Sequence, residues 1–176
     1  MKKMLCVLLC LCMVCGFAAC TVDDTPTKET NQNQETPTKA TEAKDESFQL
    51  NETAVFKNLK ITATELKESA GEDFFAPEDG NVFVGVKFTI ENTSNKEQSI
   101  SSLLSFTAYI DDVKCDYSIS AATVFDEGTL DGSIAPGKKL VGWYSVEIPS
   151  DWESLEIDVK PDILSDNTAK FIFIRH

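Results

Sequence analysis

NVFVGVKFTIEN, residues 81–92, puts Val82, Val84, Val86, Phe88 and Ile90 on one side of the chain. Phe83, Gly85, Lys87, Thr89 and Glu91 fall on the other. Strict alternation of this length, rich in β-branched and aromatic residues, predicts a long strand with one buried face. Asp79-Gly80 punctuates its start, and Asn92-Thr93-Ser94-Asn95 its end.

Shorter runs on either side repeat the pattern. Residues 47–58, with Phe48, Leu50, Val55 and Phe56, read as an edge strand, and 59–66 as a second. Residues 67–80 read as a loop in which Phe74 and Phe75 fold back as a plug. Residues 105–110 and 113–119 flank Asp111-Asp112 as a hairpin. After a crossing segment over 121–139, closed by the turn Pro136-Gly137, come strands over 140–148, 155–159 and 169–174. Gly142, inside a strand, signals a bulge or a close backbone approach. Seven to nine short strands with no amphipathic helix predict an all-β, antiparallel β-sandwich over residues 47–176.

The first 46 residues have a different character. Lys2 and Lys3 precede an almost wholly apolar run that ends in Phe17-Ala18-Ala19-Cys20. This is the layout of a secretory signal peptide, too short for a transmembrane helix, which needs about 20 apolar residues. Its end resembles the bacterial lipobox, which implies removal of residues 1–19 and a diacylglyceryl group on Cys20. An ordinary cleaved signal is the alternative. Two acyl chains would give stable attachment to the cell membrane, on its extracytoplasmic side. Residues 20–46 hold Thr, Pro, Asn, Gln, Lys and Glu with few apolar residues, a composition that predicts a disordered tether. Thr25-Pro26-Thr27-Lys28 recurs there as Thr36-Pro37-Thr38-Lys39.

Charge and cysteine placement narrow the function. The formal net charge is -13, and without residues 1–19 it becomes -15, from 14 basic and 29 acidic residues. No basic cluster is available to neutralise phosphates, so nucleic acid is not expected as a partner. The acidity also argues against docking to an anionic membrane by charge alone. Five of the six cysteines lie in the first 20 residues, which leaves Cys115 alone in the folded part. It reads as a core residue, because the single histidine, His176, is at the C-terminus and supplies no base beside it.

Three stretches, VFVGVKFTIENTS (82–94), the hairpin around Tyr109-Ile110-Asp111-Asp112, and LDGSIAPGKKLVGWYSVEIP (130–149), resemble the bacterial domain of unknown function 4352. The resemblance covers about residues 52–175. It implies an Ig-like sandwich of the immunoprotective extracellular antigen group, secreted or lipid-anchored, with no established catalytic residues to carry over. Asp111-Asp112 stands where a glycine is common in the hairpin tip.

Candidate sites are few. No triad, metal-ligand histidine pair, phosphate loop or cofactor fingerprint is present, so neither an enzyme nor a cofactor is expected. Asp111, Asp112 and Asp116 in one hairpin, with Asp126, Glu127 and Asp131 in one loop, could supply calcium oxygens or simply be solvated turn acids. Trp143, opposite its strand's core set, and Trp152, in a polar turn, are candidate surface contacts. The alternative packs Trp143 under a loop and lets Trp152 cap the sandwich edge. The expected function is a monomeric, non-catalytic binding module for an envelope protein or cell-wall component. A calcium-dependent envelope module and an envelope hydrolase are the other readings.

Overall fold

A computed structural model describes residues 26–28, 47–72, 74–125, 128–161 and 167–175. The expected signal peptide and Cys20 lie outside the described residues. Among those described, no helix is long and apolar enough to cross a membrane.

Residues 81–92 form the long strand, β5 (Asn81–Asn92), at the centre of the first sheet. It pairs along its whole length with β10 (Lys139–Pro149) and, on the other side, with β4 (Leu59–Ser69). A register shift between Ala63 and Glu65 marks a bulge in β4. β3 (Thr53–Val55) and the two-residue β1 (Thr27–Lys28) complete this sheet in the order β1-β3-β4-β5-β10. The second sheet runs β2-β12-β11-β7-β8, from β2 (Ser47–Phe48), β7 (Phe106–Ile110), β8 (Val113–Cys115), β11 (Ser154–Val159) and β12 (Ala169–Ile174). A small ribbon pairs β6 (Gln98–Ile100) with β9 (Gly132–Ile134).

The apolar faces meet as the alternation requires. Val84, Val86, Phe88 and Ile90 are fully buried, as are Leu155, Ile157, Ala169 and Phe171 from the second sheet. Aromatic rings span the gap: Phe88 lies 5.4 Å from Phe106 and 5.3 Å, edge-on, from Phe171, while Tyr144 stacks on Phe106 at 5.1 Å. Such pairs add about 0.5–1.5 kcal/mol each beyond burial. The chain is therefore an all-β, two-sheet sandwich.

Several expectations need correction. Among the described residues, twelve strands are formed rather than seven to nine, because residues 47–58 split in two and β1, β6 and β9 are too short to show periodicity. β2 pairs with β12 in parallel, not antiparallel. The arm after Asp112 stops at Cys115, and a four-residue helix, α1 (Ile119–Ala122), follows. The Ser118 hydroxyl accepts the Ala121 amide and caps this helix, which leaves Ile119 exposed. Pro26–Lys28 falls inside the expected tether, yet Pro26 is buried and β1 pairs with β3, Thr27 opposite Val55 and Lys28 opposite Ala54. Lys28 supplies the reason: its ammonium is 2.9 Å from Glu52 and 5.6 Å from the centre of the Phe48 ring.

Candidate functional site

The outer face of the first sheet is covered, and this decides the fate of Trp143. The segment after β8 bridges Tyr117 to Val146 and Thr129 to Trp143, and between these points it lays α1 and Phe125 over the sheet. Phe125 stacks on Trp143 at 5.1 Å, and the pair packs with Phe83 and Ala121. Two glycines make room. A Cβ on Gly85 would lie 2.8 Å from the Phe125 ring, and one on Gly142 would lie 2.8 Å from the Thr129 carbonyl oxygen. The Gly142 signal was thus a close approach, and the bulge lies in β4.

Trp143 is 3% exposed and Trp152 is 2% exposed, so neither indole offers a contact surface. The alternation placed Trp143 on the correct face, but the crossing segment covers that face. Trp152 closes the end where the sheets meet. Its Nε1 donates to Glu68 at 3.0 Å, Arg175 donates to the same carboxylate at 3.0 Å, and the Arg175 guanidinium lies 5.6 Å from the indole centre. Lys67 and Lys87 stand 5.3 and 5.7 Å from the Trp143 ring, beside a cleft of about 280 Å³. Both reach Glu65, at 2.9 and 3.8 Å, which offsets their charge for an anionic ligand.

The acidic candidates are bound up in turns. Asp111 and Asp112 hold positive φ, 45° and 68°, as a tight two-residue hairpin turn requires. Asp111 accepts from the Ser154 amide at 2.8 Å, so it ties the hairpin to β11. Asp116 is exposed. Asp131 accepts from the Ser102 amide and hydroxyl, both at 2.9 Å. Burial works to raise its pKa, but these hydrogen bonds outweigh it and hold the carboxyl below the ordinary value. Asp126 and Glu127 lie outside the described residues. Among the described residues, no three His, Cys, Asp or Glu side chains converge as a metal would need.

Cys115 is half-buried against the main core, and burial pushes its thiol up to about 11. Burial also raises Tyr117 and, more strongly, Tyr144. These shifts favour neutral, unreactive forms.

Two features were missed by reading the sequence. The first is Phe74, expected to fold back but in fact 97% exposed. Glu72 and Phe75 exchange amide hydrogen bonds at 2.9 and 2.8 Å, forming a minimal hairpin that lifts Phe74 to its tip. Acids surround this end of the sandwich: Glu72, Glu78, Asp79, Asp151 and Glu153 are exposed and Glu147 is half-buried. The only sequence signal was two adjacent phenylalanines in a Gly- and Pro-bearing loop.

The second is Asn92, fully buried at the other end of β5. Its side-chain amide donates to the carbonyls of Lys96 and Ile134, both at 2.7 Å, and its Oδ1 accepts from the Ser94 amide at 2.9 Å. Its backbone bonds Lys138 and Gly137. The Asn-Thr-Ser stretch and the Pro-Gly turn thus meet at one residue.

A family model with the description Domain of unknown function (DUF4352) matches residues 48–170. No curated protein matches the chain. Among solved structures, the chain is similar to a candidate lipoprotein of Bacillus subtilis strain 168, ycdA, at 16% identity and a TM-score of 0.55. That match covers 66% of this chain and 36% of the other, so this chain spans about a third of that protein's length. It is also similar to an uncharacterised β-sandwich protein of Clostridium difficile 630, at 18% identity and a TM-score of 0.51, over 78% of this chain and all (100%) of the other. A third, the yjhA protein of Bacillus subtilis, gives 16% identity and a TM-score of 0.54 over 70% and 97% of the two chains. At these identities the likeness speaks for the fold alone.

Proposed function

The chain belongs to the DUF4352 family, and from that premise we propose that it is a lipid-anchored, extracytoplasmic, non-catalytic module that binds an envelope protein through the Phe74 hairpin. Cys20 carries the anchor, with residues 1–19 removed. The lipobox-like ending supports this attachment. The non-catalytic reading is supported by the direction of the largest pKa shifts, which keep Cys115 and Tyr144 protonated.

The observation that carries the binding role is the 97% exposure of Phe74. A large apolar ring held in water by a backbone-bonded hairpin gains its full burial on contact with a partner. Aromatic anchors of this kind dominate interface energies. The surrounding acids favour a partner with a basic rim, which would also speed encounter.

A photoreactive residue at position 74 in living cells tests this. One dominant protein adduct is expected, and Phe74→Ala should weaken binding of that protein about 30-fold, the scale of an interface hot spot. Scattered adducts, or undiminished binding by Phe74→Ala, would remove this surface from consideration.

A further inference from the structure

Resting on the reading that the Phe74 end of the sandwich is its binding end, we infer that a partner adds an extended, basic segment to the open edge of β12 there. An apolar side chain of that segment fills the groove beside the edge. The edge is open because pairing stops short. β2 pairs with β12 only through Lys170 and Phe171, and the chain then turns at Gln49, whose carbonyl accepts the Glu52 amide. β3 pairs with β4 only as far as Thr62, and the Asn51 amide bonds the Ala63 carbonyl. Past these points, among the described residues, no strand lies outside Ile172–Ile174 or outside Glu65–Ser69. Both sheets therefore lack an outer strand along the same stretch of the seam. The Arg175 amide points to β11, where it bonds the Glu153 carbonyl, so alternation turns the amide and carbonyl of Ile174 outward.

The two edges differ in what they admit. The open half of β4 has a bulge and carries Glu65, Lys67 and Glu68, devices that discourage a further strand. Ile172, Phe173 and Ile174 carry no charge, and Ile174 is 54% exposed. Beside them lies a groove of about 430 Å³, lined by Gln49, Leu50, Leu66 and the same three residues. An incoming strand would bond the Ile174 backbone and seat alternate side chains in this groove, as extended peptides do at sheet edges.

Charge selects the occupant. Lys67, Lys170 and Arg175 flank the groove, but each is already held by an acid: Glu65 at 2.9 Å, Glu156 at 3.1 Å and Glu68 at 3.0 Å. Asp112, Asp151 and Glu153 are exposed at the same end, and Asp111, bonded to the Ser154 amide, adds a fourth charge. Lys114, on β8, offsets one of these. Glu72, Glu78 and Asp79 extend the acidic surface toward Phe74. A second copy paired at this edge would bring two acidic ends together, whereas a segment flanked by Lys or Arg complements one. One partner can reach both features, since Leu66 in the groove and Ser69 below the Phe74 hairpin are three strand residues apart, about 10 Å.

The test uses the full chain, with the blocked peptide Lys-Ile-Lys-Ile-Lys as probe and Glu-Ile-Glu-Ile-Glu as control. Hydrogen exchange at the Ile174 amide should slow severalfold with the basic peptide and not with the acidic one, and the effect should fade in high salt. Ile174→Lys, checked for its fold by unchanged exchange in β5, should weaken binding of the basic peptide at least tenfold. No slowing by the basic peptide, or equal slowing by both, overturns the inference. An Ile174 amide already protected in the free chain overturns it as well, because another part of the chain then fills the edge. So does a dimer that Ile174→Lys dissociates. In living cells, a photoreactive residue at position 174 should capture the same protein as one at position 74. Capture at 74 alone overturns strand addition and leaves the Phe74 reading standing. Capture at 174 alone supports strand addition and removes the Phe74 hairpin, and capture at neither overturns both.

Discussion

Asn92 does at one position what its neighbours do in pairs. With its side chain removed, the carbonyls of Lys96 and Ile134 and the amide of Ser94 lose their partner. Ile134 is buried, so water restores little there. Asn92→Ala should cost about 2–4 kcal/mol, since each buried group left unpaired costs about 1–3 kcal/mol. Denaturant unfolding would read this as a lowered midpoint with an unchanged slope, while Asn95→Ala on the exposed bend should stay near wild type. A neutral Asn92→Ala would mean that the turns close without it. The sequence showed an Asn-Thr-Ser stop to a strand, and any polar residue could have ended it. The bond to Ile134 spans 42 positions and is invisible to local pattern. Trp143 shows the same limit from the other side. Alternation assigned its face, and a covering loop was one of the two readings, but the cover itself, α1 and Phe125, is too short to show periodicity. Gly85 and Gly142 were the available signal, as two outward or inner strand positions with no side chain beneath a crossing segment.

Among the elements, β5 was fully legible, with the bounds its alternation implied, because a half-buried strand of this length writes its environment into every second residue. β1 was not legible. Thr25-Pro26-Thr27-Lys28 and Thr36-Pro37-Thr38-Lys39 are the same four residues, so local sequence cannot tell which pairs with β3. The second copy lies outside the described residues. What singles out the first is tertiary: Lys28 reaches Glu52 and the Phe48 ring. The salt bridge is partly exposed on both sides, so its loss should cost under about 1 kcal/mol globally. Lys28→Glu should act locally instead, by placing an acid beside Glu52 and freeing the edge of β3. Hydrogen exchange at Thr53–Val55 should quicken while the core amides of β5 keep their protection. Unchanged exchange at Ala54 and Val55 would show that β3 holds its edge without β1.

For the whole molecule, composition gave the sign of the charge but not its segregation. Lys57, Lys96, Lys138 and Lys139 lie far apart in sequence and are brought to the Asn92 end only by folding. The net charge of -13 therefore invites the expectation that self-repulsion governs stability at neutral pH. The surroundings of individual titratable groups argue for a different profile. The Lys28 ammonium holds Glu52 below its ordinary 4.5, against a smaller opposing effect of burial. Asp131 is also held down, from 3.8, by the Ser102 hydrogen bonds acting against burial. A carboxyl with a depressed folded pKa stabilises above its unfolded value, and that contribution is lost as pH falls through the folded one. Cys115 and Tyr117 behave oppositely, because burial raises them from 9.0 and 10.0. Their stabilisation is complete below those unfolded values and is lost as pH rises through the folded ones. The urea midpoint should thus be nearly flat from about pH 6 to 8, falling below about pH 4.5 and again above about pH 9. Cys115→Ala should lower the plateau by its lost packing but flatten the alkaline fall, leaving the acid limb in place. A midpoint that instead climbs steadily from pH 8 to pH 5 would mean that relief of net repulsion outweighs these groups.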